Sequence, residues 1–439
     1  MESPTSGGSS TVLSGISPKQ MRSGRRPASM LRVQLACGFL LAILPSLLFT
    51  GGDVGFMVSD PNAFTTVLLS LFAFGLALLM FRRVEVFPGV GVMGNLLPTI
   101  AIVFTVTMAA ILFFRLDYGR FSLGASFAAL AIFLFALGWF GRKAIDHAYY
   151  LVPSQSTRQL AAVPGATWVV LDSPGTKIPR DAAIIADLRL DHSHVWEREI
   201  ADFVLQGYKV FHIKQVQEMI SGRVQIEHLS ENSLGSLAPS ESYSSLKRAG
   251  DIVFAIAALP ILLPLFVIVA IAIKLDSPGP SFFRQIRVGY RGKPFSVLKF
   301  RTMRLVENDG KTGRESAKTK VDDHRITKLG RFLRNTRIDE LPQVWNVLRG
   351  EMSWIGPRPE AEALSVWYSA ELPYYSYRHV VRPGITGWAQ VNQGHVTELD
   401  EVLDKLHYDF YYIKHFGLWI DVTILFRTIL TVILGSGAR

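Results

Sequence analysis

Long apolar runs alternate with polar intervals along this chain, and the alternation divides it before any motif is read. Apolar runs cover residues 31–50, 63–81, 95–114 and 121–141, each near the roughly 20 residues a helix needs to cross a bilayer. They predict an N-terminal four-helix transmembrane bundle over 30–143, and three similar runs after the first make it a span rather than a signal peptide. From 149 to 228 the pattern shortens to β-rich runs at 167–171, 183–186 and 209–213, alternating with helical stretches such as 195–206. That predicts a cytoplasmic α/β (Rossmann-like) domain. A Ser-rich linker, 229–245, leads into a mostly α segment, 246–439, and residues 1–29 read as a disordered basic tail.

A fifth apolar run, 252–273, is long enough to span but carries Pro260 and Pro264 one turn apart. Neither proline can donate a backbone hydrogen bond, so the carbonyls of Ile256 and Pro260 lose their helical partners and a bend is expected. Lys247 and Arg248 precede the run and Lys274 follows it, which places both ends on one face under the positive-inside rule. The reading is a re-entrant membrane helical hairpin over 250–275. The same rule orients the bundle: Lys19, Arg22, Arg25, Arg26 and Arg32 lie at its start, Arg82 and Arg83 after the second run, Arg142 and Lys143 after the fourth. The first outer loop holds Asp53 and Asp60 and no base, which outweighs Arg115 and Arg120 on the other.

A hydrophobic share of 49% in 439 residues and a mean hydropathy of +0.26 agree with membrane segments. The single cysteine, Cys37, excludes a disulfide framework and a cysteine-rich zinc site. The net charge of +10 is concentrated: residues 284–340 hold 16 Lys/Arg against 7 Asp/Glu. That stretch suits phosphates or anionic lipid headgroups rather than nucleic acid, with a solvated basic surface as the plain alternative. In the α/β segment the turn Asp172-Ser173-Pro174-Gly175 lacks a Gly-rich phosphate fingerprint, so no nucleotide is assigned there. His192 and His194 have no cysteine partner, which favours a structural or oligomerisation role over a metal.

Candidate chemistry lies in the last segment. In Lys299-Phe300-Arg301 two cations alternate with an apolar residue, so a strand puts both on one face, suited to a diphosphate but equally to an ordinary exposed strand. Downstream, Pro342 suits a first helical turn, Gly350 a stop, and Leu341, Val344, Trp345 and Leu348 an apolar helical stripe, which places Asp339 at or next to an N-cap. An ionised carboxylate there, beside Arg334 and Arg337, is a candidate covalent nucleophile, and Glu340 a candidate magnesium ligand. A capping Asp followed by a first-turn Glu is the competing reading. Arg358 in Gly-Pro-Arg-Pro and Arg382 in Arg-Pro-Gly-Ile-Thr-Gly-Trp-Ala-Gln390 sit in rigid turns that fix an Arg fork or simply make turns.

These windows together resemble the bacterial sugar transferase family, the polyprenyl-phosphate hexose-1-phosphate transferases of the large multi-span type with a monotopic catalytic domain. The resemblance covers 245 to the C-terminus through an ordered series: Lys247-Arg248 with Asp251, the Pro-broken helix, SPGPSFFRQIRVG, KFRTM, IDELPQVWNVLRGEMSWIGPRP and VRPGITGWAQVN. It implies that Asp339 attacks the β-phosphate of a UDP-hexose, forming a phosphosugar-aspartyl intermediate and releasing UMP, and that polyprenyl (undecaprenyl) phosphate then takes the sugar phosphate. It further implies that Glu340 binds magnesium, with manganese as the alternative, and that Arg334 meets a lipid or substrate phosphate. Lys299, Arg301, Arg337, Arg358, Arg382 and Gln390 are its further phosphate contacts. The implied setting is the bacterial inner membrane with the catalytic domain on the cytoplasmic face, membrane lipids as partners, and exopolysaccharide, capsule or O-antigen-type synthesis as the pathway class. A homodimer through the bundle or the middle domain is compatible with it.

One departure is local: Gln393-Gly394-His395 stands where many relatives have Gly followed by Arg, and His395 reads as a turn residue. The apolar tail 416–434 carries Asp421 and Arg427, which suits an interfacial helix. Glucose and galactose stay equally open. Two rivals stand beside this reading: a glycosyltransferase that moves sugar alone and releases UDP, and a non-catalytic scaffold for polysaccharide assembly.

Overall fold

The computed structural model describes residues 27–84, 92–144, 148–161, 167–179, 182–225, 239–304, 323, 325–393 and 399–434. The basic tail up to residue 26, the linker up to residue 238, His395 and the side chains of Arg82, Arg83, Arg142 and Lys143 lie outside the described residues. The chain divides into two compact units, residues 1–78 with 104–213 and residues 79–103 with 214–439.

Five helices open the chain: α1 (Pro27–Phe49), α2 (Val54–Ser59), α3 (Pro61–Val84), α4 (Val92–Phe114) and α5 (Arg120–Ala144). Stretches Leu31–Phe49, Pro61–Phe81 and Arg120–Gly138 are each long and apolar enough to cross a membrane, and Pro98–Phe114 is a shorter apolar helix. Leu69, Ile111 and Leu123 pack together inside. Some polar groups among these helices pair inside: the Ser46 and Ser122 hydroxyls are 2.7 Å apart, and Gly119 N–H donates to Thr66 Oγ1 at 2.8 Å, while the buried Ser70 and Ser126 hydroxyls have no partner among the described residues. Phe39, Leu40, Leu48, Leu112, Phe113 and Ile132 point outward, a surface that lipid solvates better than water. The chain is a membrane protein of mostly helical content.

The first unit continues into a four-stranded, all-parallel sheet of β1 (Ala148–Leu151), β2 (Thr167–Val170), β3 (Ala183–Ala186) and β4 (Lys209–His212) in the order β2-β1-β3-β4. Tyr150 faces Val169 on one side and Ile184 on the other, and Ile184 faces Val210. Parallel neighbours need crossovers, and α6 (Gln155–Leu160) and α7 (His194–Leu205) lie on them. Tyr150, Val152, Leu171, Ile184, Ala186 and Phe203 form the core. Three strands and α7 follow the apolar pattern, while the central strand β1 carries no sequence signal of its own. His192 Nε2 lies 2.9 Å from the Asp187 carbonyl and His194 lies 3.4 Å from Glu197, so the two rings have different partners.

The second unit holds α8 (Ile213–Ser221) from Lys214 onward, so residues 214–225 belong with the C-terminal half although the sequence pattern places them in the α/β segment. Lys414 bonds Glu218 at 2.6 Å, Trp388 Nε1 donates to the Gly222 carbonyl at 2.8 Å, and Val224 N–H donates to the His407 carbonyl at 3.0 Å. The long helix α9 (Glu241–Asp276) follows, then the hairpin of β5 (Phe282–Val288) and β6 (Pro294–Phe300). Next come α10 (Lys328–Asn335), a 3-10 turn Ile338–Gln343, α11 (Val344–Arg349), β7 (Ser353–Ile355) and α12 (Glu362–Glu371). The strand β8 (Gly384–Thr386) pairs in parallel with β7, and α13 (Trp388–Asn392), α14 (Leu399–Lys414) and α15 (Leu418–Leu434) close the chain.

The expected hairpin in the apolar run is one helix: α9 is continuous over 36 residues with Pro260 and Pro264 inside it. Asp251, Ala255, Leu262, Val269 and Ile273 are its buried positions, a single stripe at helical spacing. Along this stripe the helix packs first on Val297, Val344, Val347 and Met352, then on Phe300 and Leu333. Near one end Lys247 pairs with Asp421 at 2.6 Å, and near the other Ser281 Oγ donates to the Ala270 carbonyl at 2.9 Å. Both halves of α9 therefore rest on the same domain.

Candidate active site

Strand alternation delivers the first site residue. Phe300 turns into the core of the second unit, so Lys299 turns the other way, toward the 3-10 turn Ile338–Gln343. Arg301 does not join it. The strand has ended, and the Arg301 guanidinium donates to the Pro278 carbonyl at 2.9 Å, the Ser277 carbonyl at 2.7 Å and Ser277 Oγ at 2.9 Å, holding the chain just past α9.

The turn bearing the carboxylates starts at Arg337, a left-handed residue (φ 59°, ψ 15°) between α10 and the 3-10 turn, at a cost of roughly 1–2 kcal/mol. Asp339 thus lies in the first turn of a six-residue 3-10 helix and not at the N-cap of an α-helix. Pro342 falls inside that turn, and α11 begins only at Val344. The buried stripe of α11 is Val344 and Val347, with Trp345 exposed. Because the helix is so short, the positive charge around Asp339 is supplied by side chains.

Glu340 gathers them. Its Oε1 accepts from Lys299 Nζ at 2.9 Å and Arg358 Nη2 at 2.6 Å, its Oε2 from Arg358 Nη1 at 3.4 Å, and Arg337 Nη1 stands 3.8 Å from Oε2. This is the forked geometry that suits guanidinium and carboxylate. Arg358 Nη1 also donates to Gln390 Oε1 at 3.0 Å. Arg334 is held by its Nε bond to Thr302 Oγ1 at 2.9 Å. Gly330 permits that approach, since a Cβ there would lie 2.0 Å from the Thr302 carbonyl oxygen.

Asp339 is buried beside this cluster, and its Oδ1 has no hydrogen-bond partner among the described residues; nor does the buried Gln390 Nε2. Burial, then the Glu340 charge, raise the Asp339 pKa above the ordinary carboxylate value, and Lys299, Arg358 and Arg334 offset this only in part. Burial pushes Glu340 upward too, but Arg358, Lys299 and Arg337 overcome it and hold Glu340 well below its usual range. Burial lowers Lys299 to about 8 against the pull of Glu340. Two adjacent carboxylates are therefore driven apart: Glu340 is ionised and neutralised by cations, while Asp339 is more basic and unpaired. Buried polar groups without partners are uncommon, and here one acceptor and one donor of that kind border a single cation cluster.

Behind the cluster is a layer the sequence pattern did not reveal. Arg287 Nη1 donates to the Pro359 carbonyl at 2.5 Å, and Arg378 Nη2 donates to the Arg358 carbonyl at 2.9 Å. Arg378 pairs with Asp409 at 2.7 Å and lies 3.9 Å from Glu360, which bonds Lys405. Arg287 lies in the SPGPSFFRQIRVG window; the others are scattered along the chain without a local motif. Arg382 lies apart from Asp339: its Nε donates to the Gly350 carbonyl at 3.1 Å, and its guanidinium sits 4.9 Å from the Tyr290 ring.

No group of three or more His, Cys, Asp or Glu side chains poised for a metal occurs among the described residues. Magnesium binds through one or two carboxylates completed by substrate phosphates and water; both oxygens of Glu340, the expected ligand, already face Lys299, Arg358 and Arg337, and the oxygen without a partner beside it is Asp339 Oδ1.

Comparison with known proteins adds to the geometry. The family model for bacterial sugar transferases matches residues 242–435. The UDP-N-acetylgalactosamine-undecaprenyl-phosphate N-acetylgalactosaminephosphotransferase of Aeromonas hydrophila is 41% identical over 379 residues, covering 86% of this chain and 87% of that protein. The UDP-glucose:undecaprenyl-phosphate glucose-1-phosphate transferase of Escherichia coli (strain K12) is 45% identical over 186 residues, covering 42% of this chain and 39% of that protein. The UDP-galactose-lipid carrier transferase of Erwinia amylovora is 37% identical over 206 residues, covering 44% of this chain and 41% of that protein. The first similarity covers most of this chain and the other two under half of it.

Proposed function

Since this chain belongs to the bacterial sugar transferase family, we propose that its Asp339 cluster carries out the family's chemistry. The protein is an undecaprenyl-phosphate sugar-1-phosphate transferase that draws on a UDP-sugar for glycan synthesis. The observation that carries the mechanism is the division of labour between Asp339, basic and unpartnered, and Glu340, ionised and clamped.

In the first half-reaction an Asp339 carboxylate oxygen attacks the β-phosphorus of the UDP-sugar. The bond from that phosphorus to the bridging oxygen breaks, and UMP leaves with the bridging oxygen. The sugar phosphate remains on Asp339 as an acyl phosphate. In the second, an oxygen of undecaprenyl phosphate attacks the same phosphorus, the bond to Asp339 breaks, and undecaprenyl-diphospho-sugar is released. Each nucleophile reacts in its anionic form, which at Asp339 the nearby Lys299, Arg358 and Arg334 favour against burial. Lys299, Arg334, Arg337 and Arg358 offset the charge of the diphosphate and of the transition state, and the free Gln390 amide is a donor for a phosphate oxygen. Glu340 with Asp339 would hold magnesium, which supplies further neutralisation of the diphosphate oxygens.

The membrane placement follows from α9. A helix that crossed a hydrocarbon layer of about 30 Å could not keep its whole buried stripe on a domain that carries Lys299, Arg337, Arg358 and Glu340 without drawing those charges into lipid. We read α9 as held along this domain with both ends at the cytoplasmic face and its outward row against the bilayer, so that a soluble donor and a lipid acceptor meet at one surface. In this reading the parallel sheet of the first unit is a Rossmann-like cytoplasmic domain.

The test is incubation of the full chain with undecaprenyl phosphate and each of UDP-glucose, UDP-galactose and UDP-N-acetylgalactosamine, with the nucleotide product identified. UMP, and label from the sugar phosphate trapped on Asp339, are expected. UDP as the product would replace the mechanism with direct glycosyl transfer.

A further inference from the structure

A cavity of about 320 Å3 opens where α9 begins, and it shares no residue with the Asp339 cluster. Four cations line it: Lys247, Arg248, Arg291 and Arg382. Lys247 is neutralised by Asp421, but none of the three arginines has a carboxylate partner within salt-bridge distance among the described residues. Arg248 spends both terminal nitrogens on neutral carbonyls, those of Val347 at 2.5 Å and Leu348 at 3.0 Å. Arg382 gives only its Nε, to the Gly350 carbonyl. Two carboxylates, Glu241 and Asp251, also line the cavity, so the three arginines left after the Lys247–Asp421 pair keep an excess of one positive charge.

The guanidiniums are held in place. Tyr290 has Arg291 at 5.0 Å and Arg382 at 4.9 Å from its ring centre, geometry favourable to cation–π attraction. Arg291 occupies the left-handed region (φ 56°, ψ 33°), where a non-glycine residue is strained and such strain collects at functional positions. Like charges gathered around one concave surface repel each other, and an anion relieves that repulsion.

Along α9 the positions at seven-residue intervals from Lys247 are Phe254, Ile261, Ile268 and Leu275, exposed by 70%, 76%, 65% and 83%. Seven residues are close to two helical turns, so these side chains form one outward apolar row from two turns past Lys247 to the end of the helix. A basic pocket at the head of an apolar track is shaped for an amphiphile.

We propose that this cavity is a second phosphate site, separate from the reaction centre, which takes the head of a phosphate-bearing lipid whose chain lies along the Phe254–Leu275 row. Free phosphate shares the head chemistry and lacks the chain.

The experiment uses the full chain in neutral detergent and follows its thermal unfolding as dioleoylphosphatidylglycerol, inorganic phosphate or uncharged dioleoylglycerol is added. Phosphatidylglycerol should raise the unfolding temperature, dioleoylglycerol should not, and Arg291→Gln with Arg382→Gln should weaken the apparent affinity by about tenfold, as expected when charge-assisted bonds are lost. Arg291→Gln alone, in an exposed turn, should shift it in the same direction and serves where the double variant does not fold. Asp339→Asn should leave the response intact, which separates this site from the reaction centre. An equal response to inorganic phosphate, lost in the variants, supports a head site that does not read the chain and removes the apolar track from the proposal. Equal stabilisation by dioleoylglycerol, or a wild-type response in folded variants, would overturn the site.

Discussion

Asp339 and Glu340 are neighbours in sequence and opposites in environment, and the contrast makes separate predictions for function and stability. Burial and a like charge raise the Asp339 pKa, so the folded state disfavours its charge at neutral pH. Asp339→Asn should therefore abolish turnover, by at least about a thousandfold for a lost covalent nucleophile, while leaving the unfolding temperature unchanged or higher. A variant that loses activity only because it unfolds at a lower temperature would count against the assignment. Lys299, lowered to about 8, is charged below that pH and neutral above it. We expect kcat/KM to fall as pH rises through about 8, and Lys299→Arg to move that limb upward; an unmoved limb assigns it to another group. At this scale Lys299, Arg334, Arg337, Asp339, Glu340, Arg358 and Gln390 could be read from the sequence because each sits in a short motif. Arg301 could not be placed, because alternation predicts the face of a strand but not where the strand stops. Arg287, Glu360, Arg378, Lys405 and Asp409 meet only through the tertiary fold, so no spacing announces them.

Elements turn those residues into a site. The close packing of α10 on Thr302 at Gly330 fixes Arg334. Gly330→Ala would drive a methyl into the backbone carbonyl of Thr302, and overpacking of that kind destabilises by about 1–3 kcal/mol. Chemical denaturation should register that loss, together with a fall in kcat/KM larger than Arg334→Lys produces. Helix α9 makes the second prediction: in a Cys37→Ser background, Asp276→Cys should react with an impermeant thiol reagent added to the cytoplasmic side. Reaction only from the outer side would make α9 a span. Apolar periodicity located this helix and most of the others. It missed β1, a four-residue strand directly after the last N-terminal apolar run, and it read an α-helical start at Pro342 where a 3-10 turn intervenes. Both failures concern elements of six residues or fewer, over which the period of a pattern is hardly defined.

Across the catalytic unit, buried histidines make stability depend on pH. Burial lowers His379 to about 3 and lowers His407 as well. In the unfolded chain each would bind a proton near 6.5. The unfolded state thus takes up more protons as pH falls, so stability from these groups is complete above about 6.5 and declines progressively below it. Unfolding temperatures measured from pH 8 down to 5 should drop chiefly below 6.5, and His379→Gln should flatten the decline. A profile that stays level to pH 5 would contradict the burial of these rings. The apolar helices, the α/β segment and the C-terminal segment each have their own periodicity, and that is what the sequence offers for dividing the chain. Residues 214–225 could not be assigned from that pattern, since Lys414, which bonds Glu218, and Trp388, which bonds Gly222, lie 196 and 166 positions away.

The anchor in this protein is also a wall of its interior. Because Ala255, Leu262, Val269 and Ile273 close over Val297, Phe300, Leu333, Val344 and Val347, cutting away the helix would not liberate a water-soluble catalyst. It would leave the hearth of the enzyme open to solvent, one layer from Lys299 and Asp339, and a fragment that starts after Asp276 should aggregate before it could be assayed.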